Sequence, residues 1–187
     1  MTKSTTFTKA HGAAQLAYAA VGAVLIAVCS WISIPAAVPF TLQTFAVFFV
    51  LSLLGGKLGT LSILVYILLG AAGIPVFAGF SAGLGVLLGS TGGYIAGFLI
   101  LGLLYWALTR SDRTSLWFGV FVMILGLAAV YAFGTIWFAV VYLQSNAAVS
   151  ISSVLAWCVL PFIIPDLIKM ALAVILARRI APALRLR

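Results

Sequence analysis

In the stretch Pro161-Phe162-Ile163-Ile164-Pro165-Asp166-Leu167-Ile168-Lys169, an aspartate and a lysine stand three positions apart in a chain with little other charge. On a helix that spacing puts both side chains on one face. Asp166 is one of only two acidic residues among 187. An ionisable group inside an apolar bundle is costly enough to be a candidate functional site by default. A carboxylate accepts hydrogen bonds from amide-like N–H groups, and an ammonium donates to a carbonyl or carboxylate, so the pair suits a small polar solute. Mutual neutralisation is the other reading. An i, i+3 pair helps a helix by only about 0.2–0.5 kcal/mol, too little to offset taking two charges into an apolar bundle.

Three kinds of segment are available to position this pair. Ile34 to Gln43 contains Pro35 and Pro39, which break a helix twice, and it is an outer loop or re-entrant segment whose Thr41, Gln43 and Thr44 edge a cavity. Gly70 to Phe77 opens the most glycine-rich part of the chain, where Phe77, Phe80, Ser81, Thr91 and Tyr94 supply aromatic rings and hydroxyls. Trp157, in a short helix expected over residues 150–160, adds a third aromatic wall beside Phe77 and Tyr94. Proline suits the first helical position, so the last helix is expected to start near Pro165, with Asp166 in its first turn at the positive helix end.

With 65% of residues hydrophobic and 6% charged, the chain is no soluble domain. About 20 apolar residues per crossing allow six or seven spans in this length. We expect one all-α membrane domain over residues 1–187, a tail over residues 1–12, and six spans. These run over residues 13–34, 43–54, 58–69, 92–108, 116–143 and from 165 to about 180, with a tight basic turn at Gly55-Gly56-Lys57. A basic start before an apolar run also describes a signal peptide. This run, however, is of span length, is followed by no small-x-small cleavage site, and has Val28 where a lipoprotein signal would not.

The formal charge of +8 would suggest nucleic acid in a soluble protein, but here the basic residues sit in loops and tails. Six spans put both termini on one side, together with the Lys57 turn and the Arg110 to Arg113 loop. The three opposite loops carry no Lys or Arg. That asymmetry makes the basic side cytoplasmic and puts Asp166 and Lys169 near the outer face.

Other chemistry is excluded or left open by spacing. Gly83-Leu84-Gly85 does not continue into a dinucleotide fingerprint, Gly56-Lys57 lacks a phosphate loop's glycines, and His11 stands alone in the tail without metal-ligand spacing. No nucleophile, base or metal constellation marks an enzyme, and two acidic residues are few for an ion relay. The chain thus has no evident means of powering transport. Cys29 and Cys158 read as buried small hydrophobes, or as a disulfide if both approach the outer face. Ala19, Ala23 and Ala27 form a stripe of small residues on the first span, either for internal packing or for docking a second protein.

Four segments then carry a resemblance. Val38 to Phe45, Gly70 to Phe77, Gly89 to Tyr94 with Gly97-Phe98, and Pro161 to Lys169 together resemble the BioY family, the biotin-specific substrate-binding components of energy-coupling-factor transporters. The resemblance runs from the first span onward. It implies a six-helix subunit of the bacterial cell membrane that captures biotin at the outer side, with no cofactor and with biotin as the transported ligand. Its implied partners are a transmembrane coupling protein, docked on Ala19, Ala23 and Ala27, two cytoplasmic ATPases and the lipid bilayer, but no nucleic acid. It makes Asp166 and Lys169 the ligand-binding pair, with Tyr94, Gln43, Thr41, Phe77, Gly79, Ser81 and Gly93 around them. The ureido ring would bond to groups including Asp166, the thioether ring would pack on aromatics, and the valerate carboxylate would meet Lys169 or backbone N–H groups. Gly79, Ser90 and Pro165 depart from the family's frequent asparagine, proline and glycine. A self-sufficient carrier for biotin or a similar solute, acting singly or as an oligomer, and a structural assembly protein are the alternatives.

Overall fold

The computed structural model describes residues 4–36, 38–110, 115–145 and 151–182. It is mostly helical: α1 (Ser4–Trp31), α2 (Gln43–Ala71), α3 (Leu84–Leu88), α4 (Gly92–Leu108), α5 (Leu116–Ser145), α6 (Ile151–Cys158) and α7 (Leu160–Ile180). Between α1 and α2 two short strands pair antiparallel, β1 (Ser33–Ile34) against β2 (Phe40–Thr41), with Pro35 and Pro39 next to the paired residues. Lys3 and residues 111–113 of the charged loop lie outside the described residues, as do Asn146 and Ser150.

Among the described residues, four stretches are long and apolar enough to cross a membrane: Gly12–Trp31, Gln43–Ala71, Leu116–Val141 and Val154–Ile180. Gly92–Leu108 is apolar too but shorter. α2 is not straight. Gly55 has φ 77° and ψ 174°, a conformation open to glycine and strained for other residues. A side chain on Gly59 would sit 2.9 Å from the Leu51 Cα, although residues eight apart are about 12 Å apart along a straight helix. The two arms of α2 therefore fold back on each other at the expected Gly55-Gly56-Lys57 turn.

Small residues decide how close the helices come. α4 packs on α5 at Gly93, where an added carbon would run into the Trp137 side chain, and at Gly97 against Val130. The four-residue glycine spacing is thus used for helix packing. α1 packs on α2 in the same way, with Gly22 against Ser62. Ala19, Ala23 and Ala27, at 2%, 1% and 5% exposure, lie inside this contact. The expectation that they dock a second protein is corrected: the stripe is consumed within the chain. The outward face of α1 carries Leu16, Val21, Val24 and Val28 instead, and α7 likewise turns Ile164, Ile168 and Leu172 outward. Apolar side chains exposed in such continuous stripes suit a lipid environment.

Two boundaries also differ from expectation. α1 is helical from Ser4, so most of the 1–12 segment extends the first helix. α7 begins at Leu160 with Pro161 in its opening turn, and Pro165 lies inside the helix. Asp166 therefore stands in the second turn, and no acidic residue occupies the first. Its charge is met by side chains rather than by the helix end. Along α7 the buried positions are Asp166, Lys169, Met170, Ala173, Val174 and Ala177, one stripe at helical spacing with the ion pair at its head.

Candidate ligand-binding site

Asp166 is 2% exposed and Lys169 8%, and their charged atoms are 2.9 Å apart. Mutual neutralisation, one of the two sequence readings, is thus realised, but the pair does not stand alone. Asp166 Oδ1 accepts from Lys169 Nζ and from Thr44 Oγ1 at 2.8 Å, and Oδ2 accepts from the Tyr131 hydroxyl at 2.7 Å. Lys169 Nζ also donates to the Thr41 carbonyl at 2.7 Å and to Thr44 Oγ1 at 3.2 Å, and lies 4.1 Å from the centre of the Phe40 ring. An ammonium has three donors and all three are engaged. A carboxylate has about four acceptor positions, of which three are filled, so the open one is on Oδ2. No described buried side-chain polar atom lacks a partner.

Each contributor is placed by its element. Pairing Ser33 with Thr41 and Ile34 with Phe40 brings the Thr41 carbonyl over α7, and Thr41 Oγ1 accepts from the Gln43 N–H at the start of α2. The Gln43 side chain donates to the Tyr66 hydroxyl at 3.1 Å and joins the two arms of α2. Trp31 Nε1 donates to the Pro75 carbonyl at 2.9 Å, and Ser30 Oγ to the Val76 carbonyl, which fixes the segment leading to Phe77. Phe77 meets Tyr66 edge-on with ring centres 5.5 Å apart. Trp137 Nε1 holds the Gly89 carbonyl at 2.9 Å, and the Tyr94 and Thr135 hydroxyls bond at 3.0 Å, which sets the start of α4 against α5.

These elements enclose a cavity of about 160 Å³. Asp166, Lys169, Thr41, Gln43, Thr44 and Tyr131 form its polar end, and Phe77, Tyr94, Ile95, Phe98, Val130 and Phe162 are prominent in its apolar wall. Ser81 and Thr91 also line it. Of the nine residues expected around the ligand, Asp166, Lys169, Tyr94, Gln43, Thr41, Phe77 and Ser81 meet here. Gly79 and Gly93 do not: Gly93 is packed against Trp137, and Gly79 sits in an exposed turn at φ 65°. Phe80 is 63% exposed and stacks on Trp31 at 5.0 Å, so it is no pocket residue. Trp157 is 47% exposed and faces away, and its neighbour Cys158 lines the cavity instead. Cys158 and Cys29 are both buried and not joined in a disulfide.

Sequence reasoning misses Tyr131. The available signal is a tyrosine inside an apolar span, one turn from Leu127, which also lines the cavity. Tyr131→Phe removes one of three bonds to Asp166 while keeping the ring. We expect binding of the site's ligand to weaken about three- to tenfold, below the full worth of a bond to a charged group because two donors remain, as read by titration calorimetry. Unchanged affinity would show that the hydroxyl does not hold the carboxylate.

Arg178 lies at the other end of the bundle. Gly55, Gly56, Thr109 and Arg178 share the lining of a second cavity of about 380 Å³. Arg178 is twelve residues beyond Asp166 on α7, about 18 Å along a helix.

Comparison with known proteins gives the same picture over nearly the whole chain. The profile of the BioY family matches residues 1–186. The chain is 40% identical to the biotin transporter BioY of Thermotoga maritima over 167 residues, covering 89% of this chain and 95% of that one. It is 45% identical to the probable biotin transporter BioY of Pyrococcus horikoshii over 143 residues, 76% of this chain and 80% of that one. Its fold is similar to a crystal structure of the S-component for biotin from an ECF-type ABC transporter, with a TM-score of 0.76, 29% identity, and coverage of 96% and 94% of the two chains. These relatives are transport proteins, not enzymes. Such coverage, with a charged cavity to which all four segments that carry the resemblance contribute, places this chain in the BioY family.

Proposed function

We propose that this protein is the membrane subunit that captures biotin with high affinity at the outer face of the cell membrane and delivers it through a coupling protein and two ATPases. The observation that carries this reading is the neutral Asp166–Lys169 cluster at one end of a small, mostly apolar cavity. Biotin is an apolar body with a polar ring at one end, which such a cavity complements. The Asp166 cluster and the wall from Phe77 to Phe98 form the site, with Tyr94, Gln43, Thr41 and Ser81 contributing. Gly79 and Gly93 act at one remove, by shaping the backbone and the α4 packing.

In this reading the chain crosses the bilayer six times, through α1, the two arms of α2, α4, α5 and α7. Lys57, Arg110 and Arg178 then share the cytoplasmic side with both termini, in line with the positive-inside rule. The biotin cavity opens on the opposite side. No cofactor is required, and energy comes from the ATPases.

Reconstituted vesicles test the division of labour. With the purified chain alone, biotin remains bound to protein and does not accumulate inside. With a coupling protein and ATPases, uptake becomes ATP-dependent. Sustained uptake by the chain alone, without ATPases, would replace this reading with the self-sufficient carrier.

A further inference from the structure

We infer that the second cavity, at the Arg178 end of the bundle, is a phosphate site, and that it holds the headgroup of an anionic phospholipid. It shares no lining residue with the cavity around Asp166 and gives the chain a second ligand at its far end.

Four elements close this cavity: the bend of α2, the end of α4, the start of α5 and the end of α7. At about 380 Å³ it is larger than the first cavity, of about 160 Å³. Its polar side chains are rich in donors. Arg178, in the last turn of α7, has no carboxylate partner among the described residues. The Tyr105 hydroxyl has no hydrogen-bond partner among them either. Ser115 Oγ accepts from the Phe118 N–H at 3.2 Å, which leaves its own hydrogen to donate. Ser52 Oγ reaches the Met123 sulfur at 3.8 Å, a weak acceptor. Thr109 is the exception, its hydrogen held by the Tyr105 carbonyl at 2.6 Å. The N–H groups of Leu116 and Trp117, in the opening turn of α5, have no acceptor within their own helix.

Charge points the same way. In the sequence, residues 55–57, 109–116 and 174–179, which supply much of the lining or adjoin it, hold five cations and one acid, Asp112. The dipole of α7 favours a cation in its last turn, which accounts for Arg178 alone. It does not account for donor hydroxyls from three other segments lining one cavity with it. Several donors and an excess of positive charge around one space match a group with several acceptor oxygens, and a guanidinium fork takes two phosphate oxygens at once. The neighbouring surface identifies the source. Trp117 is 80% exposed, and Leu108, Phe118 and Phe121 are exposed at the same ends of α4 and α5. Exposed tryptophan suits the membrane interface, and the apolar side chains suit acyl chains. In the orientation proposed above this end meets the inner leaflet, where basic pockets between helices take anionic headgroups.

The test is thermal denaturation of the full-length protein in detergent, titrated with short-chain phosphatidylglycerol, with phosphatidylcholine of the same chains, and with inorganic phosphate. A ligand that binds only the folded state raises the melting temperature. Phosphatidylglycerol should do so saturably, and phosphatidylcholine should not, because its choline adds a cation to a basic site. Arg178→Gln should raise the half-saturating lipid concentration at least about tenfold. Gly119→Leu, whose side chain enters the cavity beside the Tyr105 hydroxyl, should do the same. Arg179→Gln removes an equal charge outside the lining and should change it by less than about threefold. All three variants should still melt cooperatively and bind biotin as the unmodified protein does. Inorganic phosphate separates the two sources. A weaker effect than the lipid's supports the headgroup; an equal effect, lost in Arg178→Gln, would overturn the lipid and leave a site for soluble phosphate. No shift with either ligand, or equal losses in Arg178→Gln and Arg179→Gln, would overturn the site and leave only diffuse surface charge. Undiminished binding by Gly119→Leu would overturn it too, by putting the lipid outside the cavity.

Discussion

Asp166→Asn weakens biotin binding at least tenfold, about 1.4 kcal/mol, and Lys169→Ala weakens it at least as much. Each change strikes the site in two ways. An asparagine side chain in place of the carboxylate would offer one acceptor oxygen where three donors now converge, from Lys169, Thr44 and Tyr131. Its amide N–H groups would face Tyr131 or Lys169 donor to donor. Lys169→Ala frees the Thr41 carbonyl and leaves the Asp166 carboxylate buried without its cation. Removing one member of a buried pair costs about 3–5 kcal/mol, much of it from the charge left behind. The single variants should therefore also melt at lower temperature. Replacing both, as Asp166→Asn with Lys169→Met, should recover part of that stability but none of the binding. Titration calorimetry and thermal denaturation in detergent separate the two effects. Unchanged affinity in both single variants would remove this cluster from the binding site.

The charged pair is legible in the sequence because charge is so scarce. In a chain with two acidic residues, one of them a turn from a lysine on an apolar helix, the site announces itself. The Gly55 reversal and the short helix before α7 are legible for similar reasons, a glycine pair beside a lysine and an apolar run too short to span. Other features depend on which way a helix turns its faces. The alanine stripe of α1 has the spacing of a docking face and of an internal contact alike, and packing of α1 on α2 settles it inward. Pro165 reads as a helix start because proline favours that place, yet Pro161 lies four residues earlier and opens the helix. Phe80 and Trp157 have suitable chemistry in suitable segments, but Phe80 leaves an irregular turn, where no period sets its direction, and Trp157 takes the exposed face of α6 while Cys158 takes the cavity face. Tyr131 lies hidden in a uniformly apolar span, where one hydroxyl gives little contrast.

A second large effect is expected where no polar group is involved. Gly70, near the end of α2, is covered by the Phe77 ring, and an added Cβ would overlap three of its ring carbons. Phe77 is 1% exposed, held edge-on to Tyr66, and forms part of the cavity wall, so the ring has nowhere to move except into the cavity. Gly70→Val should therefore lower stability by about 1–3 kcal/mol, as overpacking does, and weaken biotin binding at least tenfold. The compensating change is Phe77→Leu, which removes the ring edge that the valine strikes. Combined with Gly70→Val, it should restore more stability than either single variant predicts by addition, a coupling that thermal denaturation can measure. Strict additivity would show that the two residues do not meet as described.

The most direct test of the account is calorimetric titration of the purified, detergent-solubilised protein with biotin, with thiamine as the control. The account predicts tight, saturable binding of about one biotin per chain and no heat with thiamine, with the tightness lost in Asp166→Asn. Folded protein that takes up no biotin, or that binds both vitamins alike, would contradict it.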